Sequence, residues 1–138
     1  MAIGVALLGL TVAIQAAFTL AGMRCLDWLE SRKRRFTHRH AMLMIMFFVL
    51  LMFLAVVLDV WLWAGFYYGS EKFQTFEEAL YFSTTTFTTL GYGDIIPAKE
   101  WRLLASFEAA NGLIIFGWAT AFVVAAIERF YLWLGAKK

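Results

Sequence analysis

Residues 75–94, TFEEALYFSTTTFTTLGYGD, pass from an acidic start through an apolar and threonine-rich middle to two spaced glycines. Thr75 is followed three residues later by Glu78, a capping-box spacing that predicts a helix beginning at Phe76 and running to about Thr88. A dozen residues make roughly 20 Å of helix, enough to enter a bilayer and too short to leave it on the other side. Backbone that follows such a helix cannot face hydrocarbon, so it must be buried in protein or line water. In Thr89-Leu90-Gly91-Tyr92-Gly93-Asp94, two glycines alternate with larger residues. Glycine opens backbone angles closed to other L-residues, which lets successive carbonyls turn toward one side.

The flanking sequence places this segment in a membrane. The 138 residues are 62% hydrophobic and 16% charged, with a mean hydropathy of +0.71, well away from soluble averages of about half and a quarter. Residues 3–23 carry no charge and form a first candidate span. A cleaved signal peptide is the rival reading, opposed by the length of the apolar run and by the lack of a basic residue ahead of it. Gly9, Ala13, Ala17 and Ala21 recur at four-residue spacing, which predicts that this face packs on another helix. Residues 41–66 form the second span, closing among Trp61, Trp63, Tyr67 and Tyr68 as an aromatic belt. Residues 101–131 form the third, apolar mainly from Leu103 to Ile127.

Charge sets the expected topology. Arg24, Arg32, Lys33, Arg34, Arg35 and Arg39 crowd residues 24–40, so this loop is expected in the cytoplasm, with the carboxyl terminus beside it and the amino terminus outside. Leu26, Trp28 and Leu29 suit a short interfacial helix, and Arg32–Arg35 suit anionic headgroups. His38 and His40 fall in the same loop and read as solvated or headgroup-facing rather than as pH sensors. The expected location is the cell membrane, plasma or inner. A net charge of +2 does not suggest a nucleic-acid partner. Cys25 is the sole cysteine, so the chain holds no internal disulfide. Met42, Met44, Met46 and Met52 read as packing, since no soft ligands accompany them.

Neutral carbonyl oxygens suit a weakly held monovalent cation better than carboxylates, which would hold it too firmly to pass it on. A helix entering from outside also points its partially negative carboxyl end toward the membrane centre. The order of outer helix, re-entrant helix, Thr-Leu-Gly-Tyr-Gly-Asp and inner helix resembles the pore module of the potassium channel superfamily over residues 41 to about 131. Gly112, Phe116, Gly117, Thr120 and Ala121 resemble the inner helix of small bacterial two-span channels.

The resemblance implies an all-α membrane protein with three transmembrane helices, a re-entrant pore helix and an extended filter, assembled as a fourfold homotetramer. Residues 41–138 would be the pore domain, and residues 1–40 an additional helix with the basic loop. Potassium ions would be held by the carbonyls of Thr89, Leu90, Gly91 and Tyr92 and by the Thr89 hydroxyl. Gly93, Asp94, Tyr81, Phe82 and Thr85 would support the filter, with the Tyr92 ring in an aromatic cuff that includes Tyr81 and Phe82. Phe116 and Thr120 would face the central cavity.

Two departures from the common pattern stand out. Leu90 replaces the usual β-branched residue. Thr85 stands where some relatives place a glutamate that pairs with the filter aspartate, so Asp94 is expected to find another partner. Gly112 and Gly117 read equally as gate hinges or as close-packing positions. Asp59 and Glu108 lie inside apparent spans, where an ionisable group is costly, and are expected at similar depth behind the filter, as hydrogen-bonding support or as gating or proton-sensing groups.

No helix carries arginine at every third position, which argues against a voltage sensor. An enzyme is not expected, because no nucleophile with a base and no cofactor motif stands out. A nonselective cation channel would differ in sodium against potassium permeability, and a non-conducting regulatory subunit would carry no current alone.

Overall fold

The computed structural model describes residues 2–31, 37–70 and 73–135. The chain forms α1 (Ala2–Ser31), α2 (His38–Gly69), a short α3 (Phe76–Phe87), a 3-10 turn (Lys99–Trp101) and α4 (Arg102–Gly135). Three of these elements, α1, α2 and the segment Lys99–Trp133, are long and apolar enough to cross a membrane. Thirty residues rise about 45 Å, so each long helix exceeds the hydrocarbon thickness and must tilt or project beyond it.

α3 sits against α2 and α4 and divides the interior into two packed regions. Around it, Val60, Trp63, Tyr67, Phe82, Phe87 and Ile115 form one buried cluster, which Leu7 of α1 joins. Beyond the reach of α3 the three long helices close on each other around Phe48, whose ring meets Phe122 edge-on at 5.7 Å and lies 6.1 Å from Phe130. Gly112 sets the approach of α4 to α3, since a Cβ there would stand 1.9 Å from the carbonyl oxygen of Phe87. Of the two readings left open for this glycine, the structure supports close packing. Around Gly117 nothing lies within 4 Å of the same construction.

Several expectations are revised. The small-residue stripe does not pack within the chain: Gly9, Ala13, Ala17 and Ala21 are exposed, while Gly4, Leu7, Thr11, Gln15, Gly22, Leu26 and Leu29 are buried. Polar residues decide that face, because Thr11 accepts a 2.8 Å bond from the Asn111 amide of α4, and Gln15 meets the Met52 sulfur of α2 at 3.5 Å. Gly22 contributes a second close approach, its Cβ position being 2.5 Å from the Phe122 ring.

No separate interfacial helix forms after the first span. Leu26 and Leu29 extend the buried face of α1 from Gly22 at helical spacing, so α1 continues through Ser31. His38 and His40 lie in the first turn of α2 rather than in a loop. Arg32–Arg35, expected at headgroups, lie outside the described residues.

The aromatic belt divides by face. Trp61 and Tyr68 are exposed, whereas Trp63 and Tyr67 are buried, because they follow Asp59 at four-residue intervals on the inward stripe of α2.

Candidate functional site: the α3 turn and residues 89–94

α3 begins as its sequence predicts. The Thr75 hydroxyl accepts the Glu78 amide at 3.2 Å, and the Glu78 carboxylate accepts the amide of Gln74 at 3.1 Å, one residue before the usual partner in a capping box. At the other end the orphan carbonyls of α3 are taken up in turn. Thr88 donates to Thr84 at 3.1 Å, Thr89 to Thr86 at 2.9 Å, and Gly91 to Thr85 at 3.0 Å. The last bond pins the extended segment to the helix that precedes it.

From Thr89 onward the backbone alternates in hand. Thr89, Gly91 and Gly93 have φ of 59°, 51° and 78°, while Leu90 and Tyr92 between them do not share the positive region. Such alternation of φ departs from a β-strand, whose residues keep φ negative throughout. Two of the three positive angles fall on glycine. The third falls on β-branched Thr89, at a cost of about 1–2 kcal/mol. Leu90 and Tyr92 are mostly exposed on the single chain.

Asp94 finds its partner on α3. The Tyr81 hydroxyl donates to Asp94 Oδ2 at 2.7 Å, and the Ile95 amide donates to Oδ1 at 3.1 Å. The tyrosine bond holds the Asp94 carboxyl below its ordinary value of 3.8 and pushes the Tyr81 hydroxyl up. Thr85 does not reach Asp94, since its hydroxyl turns back to the Phe82 carbonyl at 3.0 Å. Phe82 is packed inside its own chain, 5.1 Å from the Tyr67 ring and 5.2 Å from Phe73.

Behind α3 lies a buried polar group that bridges three helices. Glu108 of α4 is fully buried, with Oε2 2.8 Å from the Tyr67 hydroxyl of α2 and Oε1 2.7 Å from Ser83 Oγ of α3. Ser83 Oγ also lies 2.9 Å from the carbonyl oxygen of Val60, next to Asp59. Asp59 is fully buried, and among the described residues neither of its carboxylate oxygens meets a hydrogen-bond partner. Glu108 thus joins α4 to α2 and α3, whereas Asp59, expected to hydrogen-bond there as well, meets no partner among the described residues. Sequence reading missed Tyr67 and Ser83, although Asp59, Trp63 and Tyr67 at successive four-residue steps mark one stripe of α2.

The remaining singled-out residues lie on α4. Phe116 is part-exposed and meets Phe87 edge-on at 6.0 Å, and the Thr120 hydroxyl bonds the Phe116 carbonyl at 2.8 Å. Both line an open groove of about 270 Å³ between α2 and α4. At the end of the bundle away from α3, Arg129 pairs with Asp27 at 2.8 Å and Glu30 at 2.9 Å, joining α4 to α1. No group of three or more histidine, cysteine or acidic residues that could hold a metal ion occurs among the described residues.

A short helix held between two spans, followed by backbone of alternating hand, defines a membrane protein built around a loop that re-enters between its helices. The family model described as ion channel matches residues 53–129, more than half of the chain, and the protein belongs to this ion channel family. The match begins within α2 and ends within α4, so it takes in the whole α3 segment. No curated protein and no solved structure matches the chain.

Proposed function

We propose that four copies of this chain form a potassium-selective pore in the cell membrane, conducting ions passively down their gradient. One observation carries the reading: positive φ at Thr89, Gly91 and Gly93 alternates with Leu90 and Tyr92, directly after a short helix with its carboxyl end at this segment. Carbonyls of Thr89, Leu90, Gly91 and Tyr92 from four subunits would replace the hydration shell of K+, with the Thr89 hydroxyl at the inner end. Neutral ligands bind the ion while leaving it free to move to the next site. The exposure of Leu90 and Tyr92 on one chain fits a segment that packs only when neighbouring subunits surround it.

Residues 41–138 then make the pore domain, and residues 1–40 the additional helix with the basic loop. The amino terminus faces outward, and the basic loop and carboxyl terminus face the cytoplasm, where Arg32–Arg35 would meet anionic headgroups. Phe116 and Thr120 face the central cavity, Gly117 supplies a bending point in α4, and Tyr81, Asp94, Phe82, Thr85 and Gly93 support the filter.

The test is the reversal potential of purified protein in planar bilayers, with potassium on one side and sodium on the other. A reversal far toward the potassium equilibrium potential is expected. A reversal near zero rejects potassium selectivity, and the absence of current from tetramers rejects self-sufficient conduction.

A further inference from the structure

The oxygens around Glu108 can be counted for protons. Three contacts link Tyr67 to Oε2, Oε1 to Ser83 Oγ, and Ser83 Oγ to the Val60 carbonyl. Each requires one proton. Tyr67 and Ser83 supply one each, and the Val60 carbonyl supplies none. With Glu108 ionised, one of the two contacts at Ser83 becomes oxygen against oxygen with nothing between them. With Glu108 carrying a proton on Oε1, the chain closes: Tyr67 donates to Oε2, Oε1–H donates to Ser83, and Ser83 donates to Val60.

Charge leads to the same assignment. Glu108, Ser83 and Tyr67 are at most 1% exposed, which leaves no route for bulk water to solvate a carboxylate. Among the described residues no lysine, arginine or histidine is buried, so no interior cation balances one. On the elements packed around it, α2 brings Tyr67 in contact and the fully buried Asp59 beside Val60, a group of the same sign. On α3, Glu77 is exposed at the first turn with Glu78 tied to Gln74, while Tyr81 is turned to Asp94. The charged residues of α1 (Arg24, Asp27 and Glu30) lie near its last turns, away from the α3 end.

We propose that Glu108, as the neutral acid, is the residue that positions α3 against α2 and α4, so that loss of its proton releases the helix that holds the filter. The consequence for conduction rests on the pore reading above. Ser83 is two residues from Thr85, whose carbonyl receives the Gly91 amide, so displacement of α3 is passed directly to the extended segment. Glu108 is a positioning residue: it acts through Ser83 and touches no permeating ion.

Protonation is read first, without reference to current, by infrared spectroscopy of the full-length protein labelled with 13C at glutamate carboxyls. An acid carbonyl that persists at neutral pH and is absent from Glu108→Gln is expected. Ionised glutamate signals alone at neutral pH would overturn the proposal, and this holds even if the protein carries no current. The second arm is the alkaline profile of the current. Glutamine reproduces both bonds of the acid, accepting from Tyr67 and donating to Ser83. Wild type should lose current at least about tenfold on deprotonation, while Glu108→Gln changes less than about twofold over the same range. Equal alkaline loss in both proteins, or a Glu108→Gln chain that does not assemble, would count against Glu108 acting as the acid.

Discussion

The amide of Gly91 donates to the carbonyl of Thr85 at 3.0 Å, across a turn in which Thr89 is the one described non-glycine residue of positive φ. The extended segment thus inherits its position from α3 through one backbone bond, and its shape from a strained threonine and two glycines. Strain of this kind persists only where the surroundings over-determine it. Here the bonds closing the last turn of α3 supply that constraint.

Gly91→Ala places a Cβ on a residue with φ of 51°, so it carries a conformational penalty whatever space surrounds it. A cost of about 1–2 kcal/mol in each subunit is expected. Tetramers should form, with potassium over sodium selectivity reduced at least about tenfold, as one such penalty corresponds to about that factor. Bi-ionic reversal potentials read the change.

Gly112 and Gly117 should respond differently to alanine. Gly112→Ala drives a methyl group into the Phe87 carbonyl and should destabilise the chain by several kcal/mol, at least as much as the roughly 1–3 kcal/mol typical of overpacking. Gly117→Ala meets nothing within 4 Å in its own chain and should leave the fold of that chain intact. Thermal melts in detergent, followed by single-channel recording of whichever variant assembles, separate the two.

Tyr81→Phe removes the hydroxyl that holds the Asp94 carboxyl below its ordinary value. A depressed folded-state pKa means that the bond contributes fully above the ordinary carboxylate range and is lost as pH falls through the folded value. Without Tyr81 the Asp94 pKa should rise toward 3.8, and acid loss of current should begin at higher pH than in wild type. Titration of 13C-labelled aspartate carboxyls checks the direction.

On α1, Gly22→Leu should undock the helix from Phe122, whereas Ala13→Leu and Ala17→Leu fall on an exposed face and should leave packing within the chain intact. Arg129→Gln removes two part-exposed ion pairs and should cost at most about 1 kcal/mol, less at high salt. Detergent melting curves at two ionic strengths compare these variants.

The three spans, the start of α3 at Thr75 and the special backbone at Gly91 and Gly93 were legible because each rests on local rules of apolar length, capping chemistry and glycine geometry. The inward face of α1 was not. A stripe of small residues marks where helices can approach, but which face turns inward was settled by Thr11 and Gln15, whose partners Asn111 and Met52 are distant in sequence. The fate of Tyr67 was likewise hidden. An aromatic near a helix end suits a membrane interface, and only Glu108, 41 residues later, makes its hydroxyl an interior group. Glu108 itself was visible as an anomaly in an apolar run, and its partners on two other helices were not.

The contacts between α1 and α4 join residues 100 and 102 positions apart, at Thr11 with Asn111 and Asp27 with Arg129. They impose an order on biogenesis. α1 is synthesised before α4, yet α4 carries the Asn111 amide that donates to Thr11 and the Phe122 ring that packs on Gly22. α1 must therefore enter the bilayer before its partner on α4 exists, and its Thr11 hydroxyl donates meanwhile to the Leu8 carbonyl of its own helix. Final docking of α1 thus follows synthesis of α4, which brings Asn111 to Thr11 and Arg129 to Asp27.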